Sequence, residues 1–261
     1  MKKIPFVKMH GAGNDFVFLS KDQFKGKITP ALARTLLDRH FGIGGDQLIY
    51  LSAGKKGLPQ LAFYNSDGSQ AEMCGNGTRA AAAYLRDYKG FRKNFSFQTQ
   101  TRRIGIQLIG RTVDVDMGAP AIGGDRVLSV AGKKFSIQRV SMGNPHCVIF
   151  VKNVATFPVR EIGPLIENHP LFPKRTNVEF VQVLSRSRVK ARVWERGAGE
   201  TLACGTGACA IAVAAARVSK TGRSVKIDLP GGQLTARWAA DNHVYLSGPT
   251  AIPYSGVFNL K

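Results

Sequence analysis

The sequence predicts a mixed α/β (α+β) chain in which strands outnumber helices and two similar halves stand in tandem. Three observations predict it. A Gly-flanked cysteine occurs twice, as Met73-Cys74-Gly75-Asn76-Gly77 and Ala203-Cys204-Gly205-Thr206-Gly207, each ahead of an alanine-rich run. The interval from Cys74 to Cys204, 130 residues, is about half of the 261-residue chain. The same interval carries Gly13-Asn14 onto Gly143-Asn144, Gln47 onto Asn177, and Tyr64-Asn65 onto Trp194-Glu195. One Gly-Asn match is chance; four motifs at one offset are an internal duplication.

The elements follow in order. In the first half, β-rich runs lie at 16–19, 48–51, 61–64 and 104–108; in the second, at 147–151, 178–183 and 189–194. Gly and Pro punctuate them, as between strands. Helices are expected over about 30–39, 75–88, 162–168 and 205–219. A seam near Met117-Gly118-Ala119-Pro120 divides the chain into halves of 1–117 and 118–248. Two similar halves are expected to form a cleft, and domain interfaces are favoured ligand sites.

Composition excludes several function classes. Hydrophobic residues make up 44% and charged residues 21%, which excludes intrinsic disorder. Lys and Arg number 37 against 17 Asp and Glu, a net charge of +20 that invites a nucleic-acid or anionic-membrane reading. The basic residues are scattered, however. The densest groups are Lys2-Lys3, Arg102-Arg103, Lys133-Lys134 and the alternating Arg186, Arg188, Lys190 and Arg192, with no run of five or six. A nucleic-acid partner is therefore not expected. Residues 1–8 hold no signal-peptide apolar core. The longest uncharged apolar-rich stretch, 202–216, falls short of the ~20 residues of a membrane span. A cytoplasmic protein without a membrane partner is expected. In that compartment Cys74, Cys147, Cys204 and Cys209 are thiols, and no pair has zinc-ligand spacing, so no metal is expected.

The paired cysteines carry the chemistry. Each sits where a loop becomes a helix, where backbone N–H groups lack partners and the helix dipole adds positive charge. A thiol there is expected to have a lowered pKa. A carboxylate can bind the same N–H groups, with glycine allowing close approach. Two such helix ends at one cleft would hold a carboxylate between two thiols. One thiolate removes a proton from the α-carbon and the opposite thiol returns one to the other face. That is two-base stereoinversion, which requires no metal or organic cofactor. Cys209, inside a helix, and Cys147, without a repeat-mate, read as structural. Asp15, Asp46 and Asp67 read as carboxylates bracing loops.

The chain is identified by its motifs as resembling the diaminopimelate epimerase family. The matching stretches are His10-Gly11-Ala12-Gly13-Asn14-Asp15-Phe16, Gly42-Ile43-Gly44-Gly45-Asp46-Gln47, Asn65-Ser66-Asp67-Gly68-Ser69 and Met73-Cys74-Gly75-Asn76-Gly77-Thr78-Arg79. Further along come Met142-Gly143-Asn144-Pro145-His146, Thr176-Asn177-Val178, Glu195-Arg196-Gly197-Ala198-Gly199-Glu200-Thr201, Ala203-Cys204-Gly205-Thr206-Gly207 and Leu229-Pro230-Gly231-Gly232. The resemblance implies two pseudo-symmetric half-domains, each a curved, mostly antiparallel β-sheet or barrel around a central helix. It also implies that 249–261 returns to the first half. The implied activity is cofactor-independent interconversion of LL- and meso-diaminopimelate in lysine and peptidoglycan precursor synthesis, by a homodimer.

The resemblance assigns roles residue by residue. Cys74 and Cys204 match the two catalytic bases. Asn14 and Gln47 match residues lining the site. Asn65, Asn144, Asn177 and Arg196 match the groups reading the distal amino-acid end, where an Arg fork suits a carboxylate. Glu195 would accept from the substrate ammonium. The backbone at Gly75-Asn76 and Gly205-Thr206 would hold the reacting carboxylate. His146 and Glu195 would each set the protonation of a cysteine. The chain departs from the pattern at Ala80, where many members carry a cysteine, and in its high charge. Proline racemases and hydroxyproline epimerases share the two-cysteine plan but resemble Cys-Gly-His at the first cysteine and take a ring substrate. A phenazine-type isomerase lacks the cysteine pair.

Overall fold

The computed structural model describes residues 2–54, 57–71, 73–110 and 112–260. In chain order the first elements are β1 (Lys2–Gly11), β2 (Asn14–Ser20), α1 (Pro30–Leu37), β3 (Gln47–Ala53), β4 (Pro59–Asn65), β5 (Gln70–Ala71), α2 (Gly75–Tyr88), β6 (Phe95–Gln98), β7 (Arg103–Ile109) and β8 (Thr112–Asp116). Then come β9 (Ala121–Val130), β10 (Lys133–Ser141), β11 (Pro145–Phe150), α3 (Val159–Glu167), β12 (Asn177–Ser185), β13 (Arg188–Glu195), β14 (Gly199–Thr201), α4 (Gly205–Arg217), β15 (Ser224–Leu229), β16 (Gly232–Trp238), β17 (Val244–Ser247) and β18 (Ala251–Leu260). The chain forms two compact units. One comprises the residues up to Val115 together with those from Gly248 on; the other is Asp116–Ser247.

The two units share one strand order. In the first, the ladder runs β18-β1-β2-β3-β4-β6-β7-β8, antiparallel except at β2–β3 and β4–β6. In the second it runs β9-β10-β11-β12-β13-β15-β16-β17, antiparallel except at β11–β12 and β13–β15. The short β5 and β14 add to β4 and β13. The C-terminal β18 thus occupies in the first unit the place that β9 holds in the second. Among the described residues the first and last strands of each ladder are not paired with one another. Each sheet is therefore open, and the barrel form of the expectation is not adopted. The edge strands β9 and β18 bury few residues, as fits strands that pair on one side.

Each sheet packs on both faces, and alternation along the strands shows how. In β2, Phe18 packs against Tyr84 of α2 in a tilted pair with ring centroids 4.6 Å apart, while Val17 and Leu19 join Leu36, Leu37 and Leu48 in a core on the α1 side. In β12, Val178 and Phe180 join Ile162 and Ile166 of α3. This double burial is why 16–19 and 48–51 read as unbroken apolar runs, and why 178–181 is apolar except at Glu179. Helix α2 packs on β1, β2 and β3 and buries every residue from Gly75 to Leu85. Helix α4 packs on β10, β11, β12, β15, β16 and β17 and buries Gly207 to Ala215. From Gly207 to Ala215 α4 is apolar all round, as suits a helix inside a protein, and the alanines of both helices let strands approach closely.

Element ends differ from expectation for local reasons. Helix α1 stops at Leu37, because Asp38 Oδ1 accepts the N–H groups of His40 and Phe41, both at 2.8 Å, and turns the chain. Helix α4 stops at Arg217, where Ser219 takes a φ of 56° and Lys220 N–H bonds back to Ala215 O at 2.9 Å. Helix α3 starts earlier than expected, at Val159, where the carbonyl of the N-cap Pro158 accepts the Ile162 N–H at 3.0 Å. Strands β9 and β10 carry exposed Arg or Lys and contain no long apolar run, and in β1 Pro5 interrupts Ile4, Phe6 and Val7. Among the described residues no helix is long and apolar enough to cross a membrane.

The N-cap of α1 gives a local test. Thr29 accepts the Leu32 N–H at 3.1 Å. Thr29→Ala should cost about 1 kcal/mol, read as a lower urea midpoint at unchanged m-value.

Candidate active site

Topology gathers the predicted residues of each unit at one end of its sheet. Strands β2 and β3 are parallel, so both begin there; antiparallel β4 ends there, and α2 starts beside them. The hairpin turn Ala12-Gly13, with φ of 54° and 81°, ends at Asn14, which pairs with Gly11. Both turn residues are left-handed, matching the twist of a two-residue hairpin. The Asn14 amide donates to Asp46 Oδ2 at 2.8 Å, which turns its carbonyl toward Cys74. Cys74 Sγ and Asn76 Nδ2 both donate to Asn14 Oδ1, each at 3.5 Å. Gln47 lies directly across from Asn65 and donates to its Oδ1 at 2.8 Å; Asn65 donates in turn to Ser69 Oγ at 3.0 Å.

The second unit repeats the plan with different side chains. Parallel β11 and β12 bring His146 opposite Asn177, and antiparallel β13 ends at Glu195. Asn144 Nδ2 donates to Thr206 Oγ1 at 3.2 Å, and Thr206 Oγ1 lies 3.5 Å from Cys204 Sγ. Asn177 donates to Pro145 O at 2.9 Å and accepts the Arg196 N–H at 3.0 Å, while the Arg196 guanidinium donates to Lys174 O at 3.2 Å. Thr201 Oγ1 donates to Glu195 Oε1 at 2.5 Å. His146 bonds Asn144 Oδ1 through Nε2 at 3.0 Å and Glu179 Oε1 through Nδ1 at 2.6 Å.

The cysteines themselves cap the central helices. Cys74 and Cys204 are the N-caps of α2 and α4, and each Sγ accepts the N–H of the glycine three residues on, Gly77 or Gly207, at 3.4 Å. Those glycines serve packing as well. A Cβ at Gly77 would lie 2.9 Å from Ile49 Cδ1, and one at Gly207 would lie 2.9 Å from Glu179 Oε1.

Burial reverses the expected thiol acidity at Cys204. Desolvation pushes that thiol well up, and the Glu195 and Glu179 carboxylates push the same way; the Thr206 and Gly207 donors pull down and lose. Desolvation likewise raises the Glu195 carboxyl, against the opposing bonds to Thr201 and Cys204. A raised carboxyl beside a raised thiol can exchange a proton with it, because neither charged form is strongly favoured. Cys147, fully buried, is also pushed up, first by desolvation and then by Glu179. Cys209 is buried inside α4. Among the described residues no group of three or more His, Cys, Asp or Glu is placed to hold a metal ion.

The chain matches the family model described as diaminopimelate epimerase over residues 6–122 and 139–252. It is 45% identical over 276 residues to the diaminopimelate epimerase of Leptospira biflexa, covering 97% of this chain and 98% of that one. It is 46% identical over 278 residues to the diaminopimelate epimerase of Desulfitobacterium hafniense, covering 96% of each.

The chain belongs to the diaminopimelate epimerase family.

The family is one of isomerases, and solved structures extend its fold further afield. A phenazine biosynthesis protein of the PhzF family from Bacillus anthracis superposes with a TM-score of 0.77 at 14% identity, covering 100% of both chains. A probable proline racemase from Agrobacterium radiobacter K84 superposes at 0.74 and 11% identity, covering 99% of this chain and 93% of that one. Within this epimerase-family fold, sequence reasoning missed Glu179, Thr201 and Arg79. Glu179 is fully buried and bonded to His146; the available signal was a lone acid inside the apolar run 178–181. Arg79 is buried on α2 and donates to Asn76 Oδ1 at 3.1 Å.

The acids near Asn14 form an ion cluster that yields a pH test. Asp15 bonds Lys8 and Arg39, both at 2.7 Å, and Arg39 also reaches Asp46 at 2.8 Å. Burial would raise the Asp15 carboxyl, but the bonds from Arg39 and Lys8 outweigh it and hold it well below the usual range. A depressed folded pKa stabilises the protein above the unfolded value of about 3.9. That contribution is lost as pH falls through the folded value. Asp15→Asn should therefore lower the unfolding midpoint at pH 7, and the gap from wild type should shrink as pH falls below about 4.

Proposed function

We propose that this chain interconverts LL- and meso-2,6-diaminopimelate without a cofactor, with Cys74 and Cys204 as the two bases. The observation that supports it most directly is the matched pair of N-capping thiols, each with polar groups gathered at the same end of its sheet. In the forward step, a thiolate takes the proton of the α C–H bond. The bonding pair stays on carbon beside the carboxylate, and the opposite thiol delivers its proton to the other face. The N–H groups of Gly75-Asn76 and Gly205-Thr206 hold the reacting carboxylate, as helix N-termini suit an anion. Glu195 receives the Cys204 proton or accepts a hydrogen bond from the substrate ammonium, and burial raises its carboxyl toward the proton-holding form.

The distal end of the substrate falls to the asparagines and Arg196. Asn177 holds the Arg196 backbone N–H, which orients the guanidinium toward a carboxylate. Asn65 and Asn144 add amides of either polarity, and Asn14 and Gln47 line the first unit's part. A long substrate with an amino and a carboxylate group at each end satisfies these groups, whereas a ring amino acid leaves them unpaired. The reading places the enzyme in lysine and peptidoglycan precursor synthesis, in the cytoplasm, as a homodimer. Sedimentation at micromolar concentration tests the dimer.

The deciding experiment is turnover of LL-diaminopimelate against L-proline under identical conditions. The first should turn over and the second should not; the reverse overturns the reading. In deuterated water the product α-carbon should carry solvent deuterium. Cys74→Ala and Cys204→Ala should each lower turnover by about 10²–10⁴-fold or more, and full activity in either sinks the two-base reading. Pyridoxal phosphate and a chelator should change nothing. Arg196→Lys keeps the charge but loses the fork, and should raise KM about tenfold with kcat little changed.

A further inference from the structure

We propose that Glu179 is a positioning residue for Cys204, acting through a buried relay of His146, Asn144 and Thr206. Its catalytic consequence rests on the epimerase reading above; its effect on the thiol does not.

Glu179 sits on the α4-facing side of β12, between Val178 and Phe180, which face α3. A carboxylate at 0% exposure costs several kcal/mol unless paired. Its partner is His146, whose side chain is also fully buried, at 2.6 Å. Only Oε1 is used. Oε2 is buried with no hydrogen-bond partner among the described residues. A pair serving packing alone would satisfy both oxygens, and a buried orphan acceptor calls for another role. The first turn of α4 lies directly over the carboxylate, since a Cβ at Gly207 would approach Oε1 to 2.9 Å. The negative charge is thus held beneath the helix end that Cys204 caps.

The hydrogen-bond directions run one way. Asn144 turns its carbonyl to His146 Nε2, so Nε2 carries hydrogen. His146 Nδ1 lies 2.6 Å from Glu179 Oε1, the shortest contact of the relay. The Asn144 amide then donates to Thr206 Oγ1, and the Thr206 hydroxyl hydrogen is left for Cys204 Sγ at 3.5 Å. The relay therefore ends in a donor aimed at sulfur, set to steady a thiolate as it forms. The charge of Glu179 acts in the opposite sense and keeps the proton on sulfur at rest. In the first unit Asp46 orders Asn14 the other way, carbonyl toward Cys74. The ionisable groups acting on Cys204 are Glu195 on β13 and Glu179 on β12; His146 on β11 acts on Glu195, while Glu179 and Arg139 on β10 act on Cys147.

The test is alkylation of each cysteine by iodoacetamide across pH, read by mass spectrometry of the cysteine peptides, in the full chain and in Glu179→Gln. Removing the charge should shift the Cys204 profile to lower pH, giving about threefold or more faster alkylation below the plateau. The Cys74 profile should not move, and Cys147 and Cys209 should stay unreactive. Turnover of LL-diaminopimelate should fall at least about tenfold in kcat with KM within about twofold. His146→Gln reads the same relay from its other member and serves if Glu179→Gln does not fold; its kcat should fall similarly. The double variant should be no worse than the poorer single one, since the two act as one unit. An unmoved Cys204 profile, or a shift shared by all four cysteines, overturns the proposal. Wild-type chain inert toward LL-diaminopimelate overturns the epimerase reading instead, and the alkylation profiles still decide the role of Glu179.

Discussion

Much of this structure depends on a cysteine sulfur accepting the third N–H of a buried helix. Helices α2 and α4 are enclosed by strands from their first residue, so their leading N–H groups cannot all turn to water. Cys74 and Cys204 satisfy one each from the cap position. The close seating of the helix end then requires glycine at the donor, because a side chain there would strike Ile49 and Phe63 in one unit and Glu179 in the other. Cap, glycine and alanine run are thus one constraint. It brings a thiol to the end of the sheet where parallel and antiparallel strands also deliver Asn14, Gln47 and Asn65, or Asn144, Asn177 and Glu195.

The duplication preserved this backbone plan and let the electrostatics diverge. Behind Asn14 lies a half-exposed cluster of Lys8, Asp15, Arg39 and Asp46, whose charges are matched and screened. Behind Asn144 lies the closed His146–Glu179 pair, with Glu195 buried nearby. Both side chains of that pair are fully buried, so their charges are screened less than those of the exposed cluster. The two thiols share a geometry without sharing an environment. A reaction that removes a proton from one face and returns it to the other is well served by such a difference, since its two bases are never in the same protonation state.

Legibility in the sequence followed the reach of each interaction. The repeat of Cys-Gly-x-Gly and its companions at one offset located both central helices and most polar residues at the sheet ends, because each motif is local and occurs twice. Strands β9 and β10 escaped notice, since their exposed faces carry Arg or Lys and present no long apolar run, and β1 because Pro5 breaks its apolar residues. Glu179 escaped for the opposite reason. It stands in an apolar run, and its partner lies 33 residues away on a strand joined to it only by parallel pairing.

By itself, the sequence determined the duplication, the strand-rich plan, the paired caps and the family to which the motifs point, all of which are written in short windows. The tertiary structure alone decided that the sheets stay open and that Cys204 is a reluctant acid rather than an activated one. A helix N-terminus lowers a thiol pKa through a few nearby dipoles, which a local motif reveals. Desolvation and the carboxylates of Glu195 and Glu179 raise it through residues brought in from two separate strands, and their sum exists only once the chain has folded.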